Sequence, residues 1–241
     1  MRHRQDRPFF EGPDCPSLAR RALGEGVATA VLTMAVVFAA QATWLGPLRP
    51  LAFCLGVPAA VLALTLTFGP ATGAHFNPLV TASQWLGGHR NTRCFVAYIC
   101  AQFVGALIGA ALAGLLVAPA PHVAPAPIAV VMGSEIFATA GLIIIVLAAS
   151  RITGPFAGLL AVIGWLIMIN LAAPGGPFAN PVLALAAPLG LGSMNPWLVL
   201  IHVAAQLAGL AVALLVVTVI FPPAGAPATS RGAPLSRENA S

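Results

Sequence analysis

Apolar residues dominate six stretches of this chain, near residues 22–44, 51–69, 94–117, 128–150, 155–173 and 197–221. Crossing about 30 Å of hydrocarbon takes about 20 helical residues, so each stretch predicts a transmembrane helix. Two shorter apolar pieces, near 77–86 and 180–190, cannot span and read as re-entrant half-helices or buried connectors. Both open on the same dipeptide, Asn77-Pro78 in one and Asn180-Pro181 in the other. Proline suits the first turn of a helix, where its missing N–H would be unpaired anyway. Asparagine suits the cap, where its carbonyl accepts from orphan amides. The caps are thus predicted to leave their NH₂ groups free to point into a polar space between the apolar runs.

The remaining polar positions recur in matching order. Glu25 and Thr29 open the first span and Glu135 and Thr139 the fourth, while Gln102 and Gly105 in the third are answered by Gln206 and Gly209 in the sixth. Each half therefore reads span, span, Asn-Pro half-helix, span. Three spans is an odd number, so the second half must enter the membrane from the opposite face. Inverted halves of this kind place a site at the midplane in many transport proteins. The predicted organisation is a tail at 1–21, a first repeat at 22–117, an Ala/Pro linker at 118–127, a second repeat at 128–221 and a disordered tail at 222–241.

Composition adds the compartment. Hydrophobic residues make up 59% of the chain, charged residues 7%, and the mean hydropathy is +0.94. There is no lysine, and the arginines sort by loop. Arg2, Arg4, Arg7, Arg20 and Arg21 precede the first span, Arg90 and Arg93 lie between the second and third, Arg151 between the fourth and fifth, and Arg231 and Arg237 follow the sixth. Only Arg49 falls in a loop of opposite parity. Positive charge marks the cytoplasmic side, so a multi-pass protein of the plasma (inner) membrane with both termini cytoplasmic is predicted. The pI near 9.9 then reflects topology and anionic lipid, not nucleic acid. Cys15, Cys54, Cys94 and Cys100 show no metal spacing and read as small apolar filler. No His-Glu-x-x-His or Gly-x-Ser-x-Gly pattern is present, so neither an enzyme nor a cofactor or metal site is expected.

With these elements in place, the chain resembles the major intrinsic proteins, the aquaporins and glycerol facilitators. The residues that carry the resemblance are Glu25/Thr29, Gly73-Ala74-His75-Phe76-Asn77-Pro78, Gln102/Gly105, Glu135/Thr139 and Asn180-Pro181. It implies an all-α hourglass of six transmembrane helices and two re-entrant half-helices, assembled as a homotetramer in the lipid bilayer. Asn77, Pro78, Asn180 and Pro181 would form the pore centre. Non-helical backbone at Gly73, Ala74 and His75, and at Gly175, Gly176, Pro177, Phe178 and Ala179, is tolerable at depth only if it lines water or is buried in protein, and where it lines water its carbonyls would be the acceptors for a permeant. Glu25 and Glu135 are the only acids inside the spans. An intramembrane carboxylate is by default a candidate for proton coupling. The resemblance instead implies that both accept hydrogen bonds from the loops and hold them. His75 reads as a wall residue or a pH gate, and Gln102 and Gln206 as braces. Trp85, Trp165 and Trp197 suit interfacial belts, with a case for the pore only at Trp165.

Departures from the family pattern bear on selectivity. Relatives selective for water or glycerol carry Arg directly after the second Asn-Pro-Ala, where this chain has Leu183, and both motifs end in a larger residue, Leu79 or Val182. Counting along the family spacing puts Val57 and Pro177 at two other filter positions. The fifth-span position is Met168 by an ungapped count and Trp165 if Gly158 and Gly164 are aligned. The constriction is apolar either way. The expected function is a passive channel for water or small uncharged solutes, such as polyols, metalloid hydroxides or gases. The competing readings are a proton-coupled transporter using Glu25 and Glu135 and a non-conducting scaffold plugged by Leu79, Val182 and Leu183.

Overall fold

The computed structural model describes residues 16–117, 126–152, 155–173, 176–193 and 195–221. The predicted tails up to residue 15 and from 222, linker residues 118–125, and Gly175 lie outside the described residues. Eight principal helices follow in order: α1 (Leu18–Ala40), α2 (Val57–Thr72), α3 (Pro78–Leu86), α4 (Thr92–Leu116), α5 (Ile128–Ile152), α6 (Pro155–Ala172), α7 (Pro181–Gly190) and α8 (Pro196–Ile220). No strand occurs among the described residues. Among the described residues five apolar helices are long enough to cross a bilayer: Leu18–Ala40, Leu45–Thr72, Thr92–Leu116, Ile128–Ala149 and Pro196–Ile220. The remaining predicted span, α6, has 18 residues. At 1.5 Å per residue it reaches roughly 27 Å, just short of the hydrocarbon thickness.

Local chemistry sets the boundaries. Asn91 Oδ1 accepts from Cys94 N at 2.9 Å to start α4, and Asn195 Oδ1 accepts from Trp197 N at 3.0 Å with Pro196 following to start α8. α2 is preceded by a helical turn at Arg49–Leu51 and a π-helical turn at Ala52–Gly56, and it stops where Gly73 takes φ 91°, a conformation open to glycine. Arg49, the one arginine of opposite parity, donates from Nε to the carbonyl of Ala40 at 3.1 Å. It satisfies an orphan carbonyl at the C-terminus of α1, which suits a cation there.

Two tight helix pairs repeat the same design. α1 lies on α4 and α5 lies on α8. A Cβ on Gly105 would sit 2.0 Å from the carbonyl oxygen of Gly26, and one on Gly109 would sit 2.2 Å from that of Ala30. In the second half a Cβ on Gly209 would meet the carbonyl of Ile136 at 2.7 Å. Gly26 and Ile136 each follow the glutamate of their half. The missing side chains thus let α4 and α8 close on the helices that carry Glu25 and Glu135, as small residues do between membrane helices. α3 packs on α4, α5 and α8, and α7 on α4, α1 and α8. The half-helices are thereby wedged between the halves.

Gly105→Ala should destabilise the fold by about 3 kcal/mol, the upper range for forced overpacking, because the obstacle is backbone that cannot rotate away. Gly133→Ala, whose new methyl meets nothing within 4 Å, should change stability by less than about 0.5 kcal/mol. Unfolding in detergent by heat or denaturant compares the two.

Candidate pore at the meeting of two half-helices

Each asparagine caps its own half-helix. Asn77 Oδ1 accepts from Leu79 N at 2.9 Å, and Asn180 Oδ1 accepts from Val182 N at 3.2 Å. Their NH₂ groups differ from the expectation of donors wholly free for the channel. Asn77 Nδ2 donates to the carbonyl of Ala179 at 2.7 Å, and Asn180 Nδ2 donates to the carbonyl of Phe76 at 2.9 Å. The two motifs therefore lock across the interface. Each amide engages one of its two hydrogens in this way, because the facing backbone carbonyl has no helical partner.

The residues that receive these bonds are themselves unusual. Phe76 and Ala179, each just before its asparagine, take φ 48° and 49°, and Ala74 takes 51°. Left-handed backbone costs a residue with a Cβ roughly 1–2 kcal/mol. The glutamates offset that cost. Glu25 Oε1 and Oε2 accept from His75 N at 3.0 Å and Phe76 N at 2.7 Å, and Glu135 Oε1 and Oε2 accept from Phe178 N and Ala179 N at 2.9 Å each. Gln102 Nε2 donates to Glu25 at 2.8 Å and Gln206 Nε2 to Glu135 at 3.0 Å. Both glutamates are fully buried, and neither lines the central cavity.

Sequence reasoning missed the partners that differ between the halves. Four residues before Gln102 stands Tyr98, and four before Gln206 stands His202. Tyr98 meets His75 edge-on at 5.2 Å between ring centroids, and His202 meets Phe178 edge-on at 5.3 Å. Histidine and aromatic ring have changed places between loop and helix. In the second half His202 Nδ1 lies 2.6 Å from Glu135 Oε1. In the first, Tyr98 donates to the carbonyl of Thr72 at 2.6 Å and accepts from Arg21 Nε at 3.0 Å. His75 pairs through Nδ1 with Thr81 Oγ1 at 3.1 Å. Aligning the repeats four residues upstream of each glutamine would have exposed this exchange.

A cavity of about 860 Å³ of empty space, its open mouth included, runs past the asparagines. Gly73, Ala74, His75, Asn77, Phe178, Ala179 and Asn180 line it, as do Val57 and Leu183. From α6 it receives Leu159, Val162 and Leu166. Trp165, Met168 and Pro177 are not among its lining residues. The Trp165 ring covers Gly141, where an added Cβ would fall 2.0 Å from it, and its Nε1 donates to the carbonyl of Ala138 at 3.0 Å. Met168 is 36% exposed and Pro177 is buried. Pro78 and Pro181 open the half-helices behind the caps. Among the described residues no group of three or more His, Cys, Asp or Glu side chains fits a metal ion.

Glu25→Gln and Glu135→Gln should each lower stability by about 2–4 kcal/mol, since the amide turns one acceptor into a donor facing a backbone N–H. Thermal unfolding of the two purified variants measures this.

Comparison with known proteins agrees with this architecture. The family model described as "Major intrinsic protein" matches residues 14–178. Aquaglyceroporin AqpS of Rhizobium meliloti (strain 1021) is 37% identical over 103 residues, 41% of this chain and 44% of that protein. The lens fiber major intrinsic protein of Rattus norvegicus is 37% identical over 75 residues, 31% of this chain and 28% of its own length. The chain thus matches less than half the length of these curated relatives. The X-ray structure of the aquaglyceroporin from Plasmodium falciparum superposes with a TM-score of 0.68 at 20% identity, covering 86% of this chain and 98% of that one. That likeness shows a shared fold. With its family model spanning more than half of its 241 residues, the chain belongs to the major intrinsic protein family.

Proposed function

We propose that this protein is a passive membrane channel, not an enzyme, for small uncharged solutes. The observation that carries the reading is the cavity that passes two asparagine caps from opposed half-helices. Two helix N-termini meeting at one point repel cations and orient a permeant's dipole. Around them the lining is largely apolar, Val57 and Leu183 included, with no charged side chain among the lining residues. Such a wall excludes ions by desolvation and costs a neutral solute far less.

Within this reading Asn77, Pro78, Asn180 and Pro181 form the pore centre, and Glu25 and Glu135 support the loops. Val57 and Leu183 carry the filter, and Leu166 is the α6 side chain best situated to complete it, because Trp165 is committed to Gly141 and Ala138. A proton-coupled cycle through the glutamates gains no support, since both carboxylates are spent on loop amides and buried away from the cavity. The arginine distribution favours both termini on the cytoplasmic side of the plasma membrane. The family likeness supports a homotetramer.

Flux assays in proteoliposomes test the channel. Asn77→Leu with Asn180→Leu should reduce solute permeability at least tenfold in correctly inserted protein, as both crossed bonds and both midplane donors are lost. Unchanged flux would remove the asparagines from the pore centre. Leu183→Arg should raise the water-to-glycerol permeability ratio, because a guanidinium brings five fixed donors to the constriction. A well-expressed variant with an unaltered ratio would take Leu183 out of the filter.

A further inference from the structure

Five polar side chains line the cavity: Thr65, His75, Asn77, Gln84 and Asn180. Three are already engaged with protein. His75 pairs with Thr81, and the two asparagines bond each other's loops. Thr65 and Gln84 are different. Each is 4% exposed, and neither side chain makes a hydrogen bond among the described residues. Their polar atoms are also absent from the buried groups sealed without a partner, which means they open onto the cavity.

Their placement follows from helix periodicity. Val57, Val61 and Thr65 step by four along one face of α2, and Val80 and Gln84 step by four along one face of α3. All five line the cavity, as do Leu142 and Val146 of α5. A carboxamide and a hydroxyl are costly to hold unpaired in such surroundings, so something that enters must satisfy them.

Resting on the channel reading above, we infer that Thr65 and Gln84 are two polar stations along the apolar conduit that favour neutral solutes carrying hydroxyl groups. The carboxamide presents a donor and an acceptor side by side, and the threonine hydroxyl adds one of each. A permeant hydroxyl, which both donates and accepts, is matched by either group. Solutes lacking hydroxyls leave the stations unpaired and gain nothing from them. Water keeps hydrogen bonds to neighbouring waters and depends on the stations less.

The test measures glycerol and water permeability of the full chain in proteoliposomes, for wild type, Gln84→Met, Thr65→Val and Thr65→Ser. Gln84→Met and Thr65→Val should each lower glycerol permeability about tenfold, the equivalent of one bond worth about 1.4 kcal/mol, with water changed less than about twofold. Thr65→Ser, which keeps the hydroxyl, should retain the wild-type ratio. An unchanged glycerol-to-water ratio in both apolar variants overturns the stations while the channel stands. Wild type that conducts water but not glycerol overturns the solute class. Wild type that conducts neither overturns the channel reading itself. Unfolding midpoints monitor folding, and if Gln84→Met fails to fold, the Thr65 pair decides the question alone.

Discussion

Two backbone residues, Phe76 and Ala179, are held at both ends by side chains from elsewhere in the chain. The N–H of each goes to a glutamate of its own half and the C=O of each goes to the asparagine of the other half. This crossed arrangement fixes the left-handed turn before each cap, which in turn aims both half-helices at one point. Without it the loops would carry unpaired polar backbone at membrane depth, where no bulk water is available. The glycine contacts of α4 and α8 serve the same end, because they bring Gln102 and Gln206 within bonding reach of the glutamates.

The pseudo-symmetry is strict for these bonds and relaxed around them. Tyr98 braces the first loop through Thr72 and Arg21, whereas His202 contacts Glu135 directly in the second. A hydrogen-bond requirement at the centre admits few chemical solutions, while the outer support needs only a ring of suitable size and one polar contact. Charge takes part in the first half's support: Arg21 and Arg90 both lie near the Tyr98 ring, at 5.6 and 5.9 Å from its centroid.

Selectivity in the proposed channel depends on which polar groups remain unspent once the scaffold has taken its share. The scaffold consumes the glutamates, the Nε2 groups of Gln102 and Gln206 and half of each asparagine amide. What remains along the conduit is largely hydrocarbon, interrupted by Thr65 and Gln84. A conduit of this kind discriminates by the cost of stripping water from a solute and by how well a few fixed groups repay it.

Much of the fold was legible in the chain because its signals are local. Span lengths follow from runs of apolar residues, the half-helices from Asn77-Pro78 and Asn180-Pro181 at their starts, and the repeat from Glu25/Gln102 matched by Glu135/Gln206. Glu25 and Glu135 stood out as loop supports because an acid in an apolar span needs a partner. The site was less legible wherever it depends on which way a side chain turns. Trp165 suited the filter by spacing, yet its ring lies on Gly141 and its N–H finds the Ala138 carbonyl, a contact between residues 27 apart in the chain. Asn77 and Asn180 carried no sign of bonding each other's loops, across more than a hundred residues. The sequence by itself determined the helices, their order and the polar residues the membrane must accommodate, since burial and capping act on neighbours. Only the tertiary structure decided which polar atoms are paired and which face the cavity, because hydrogen bonds are matched by distance in space and not by position along the chain.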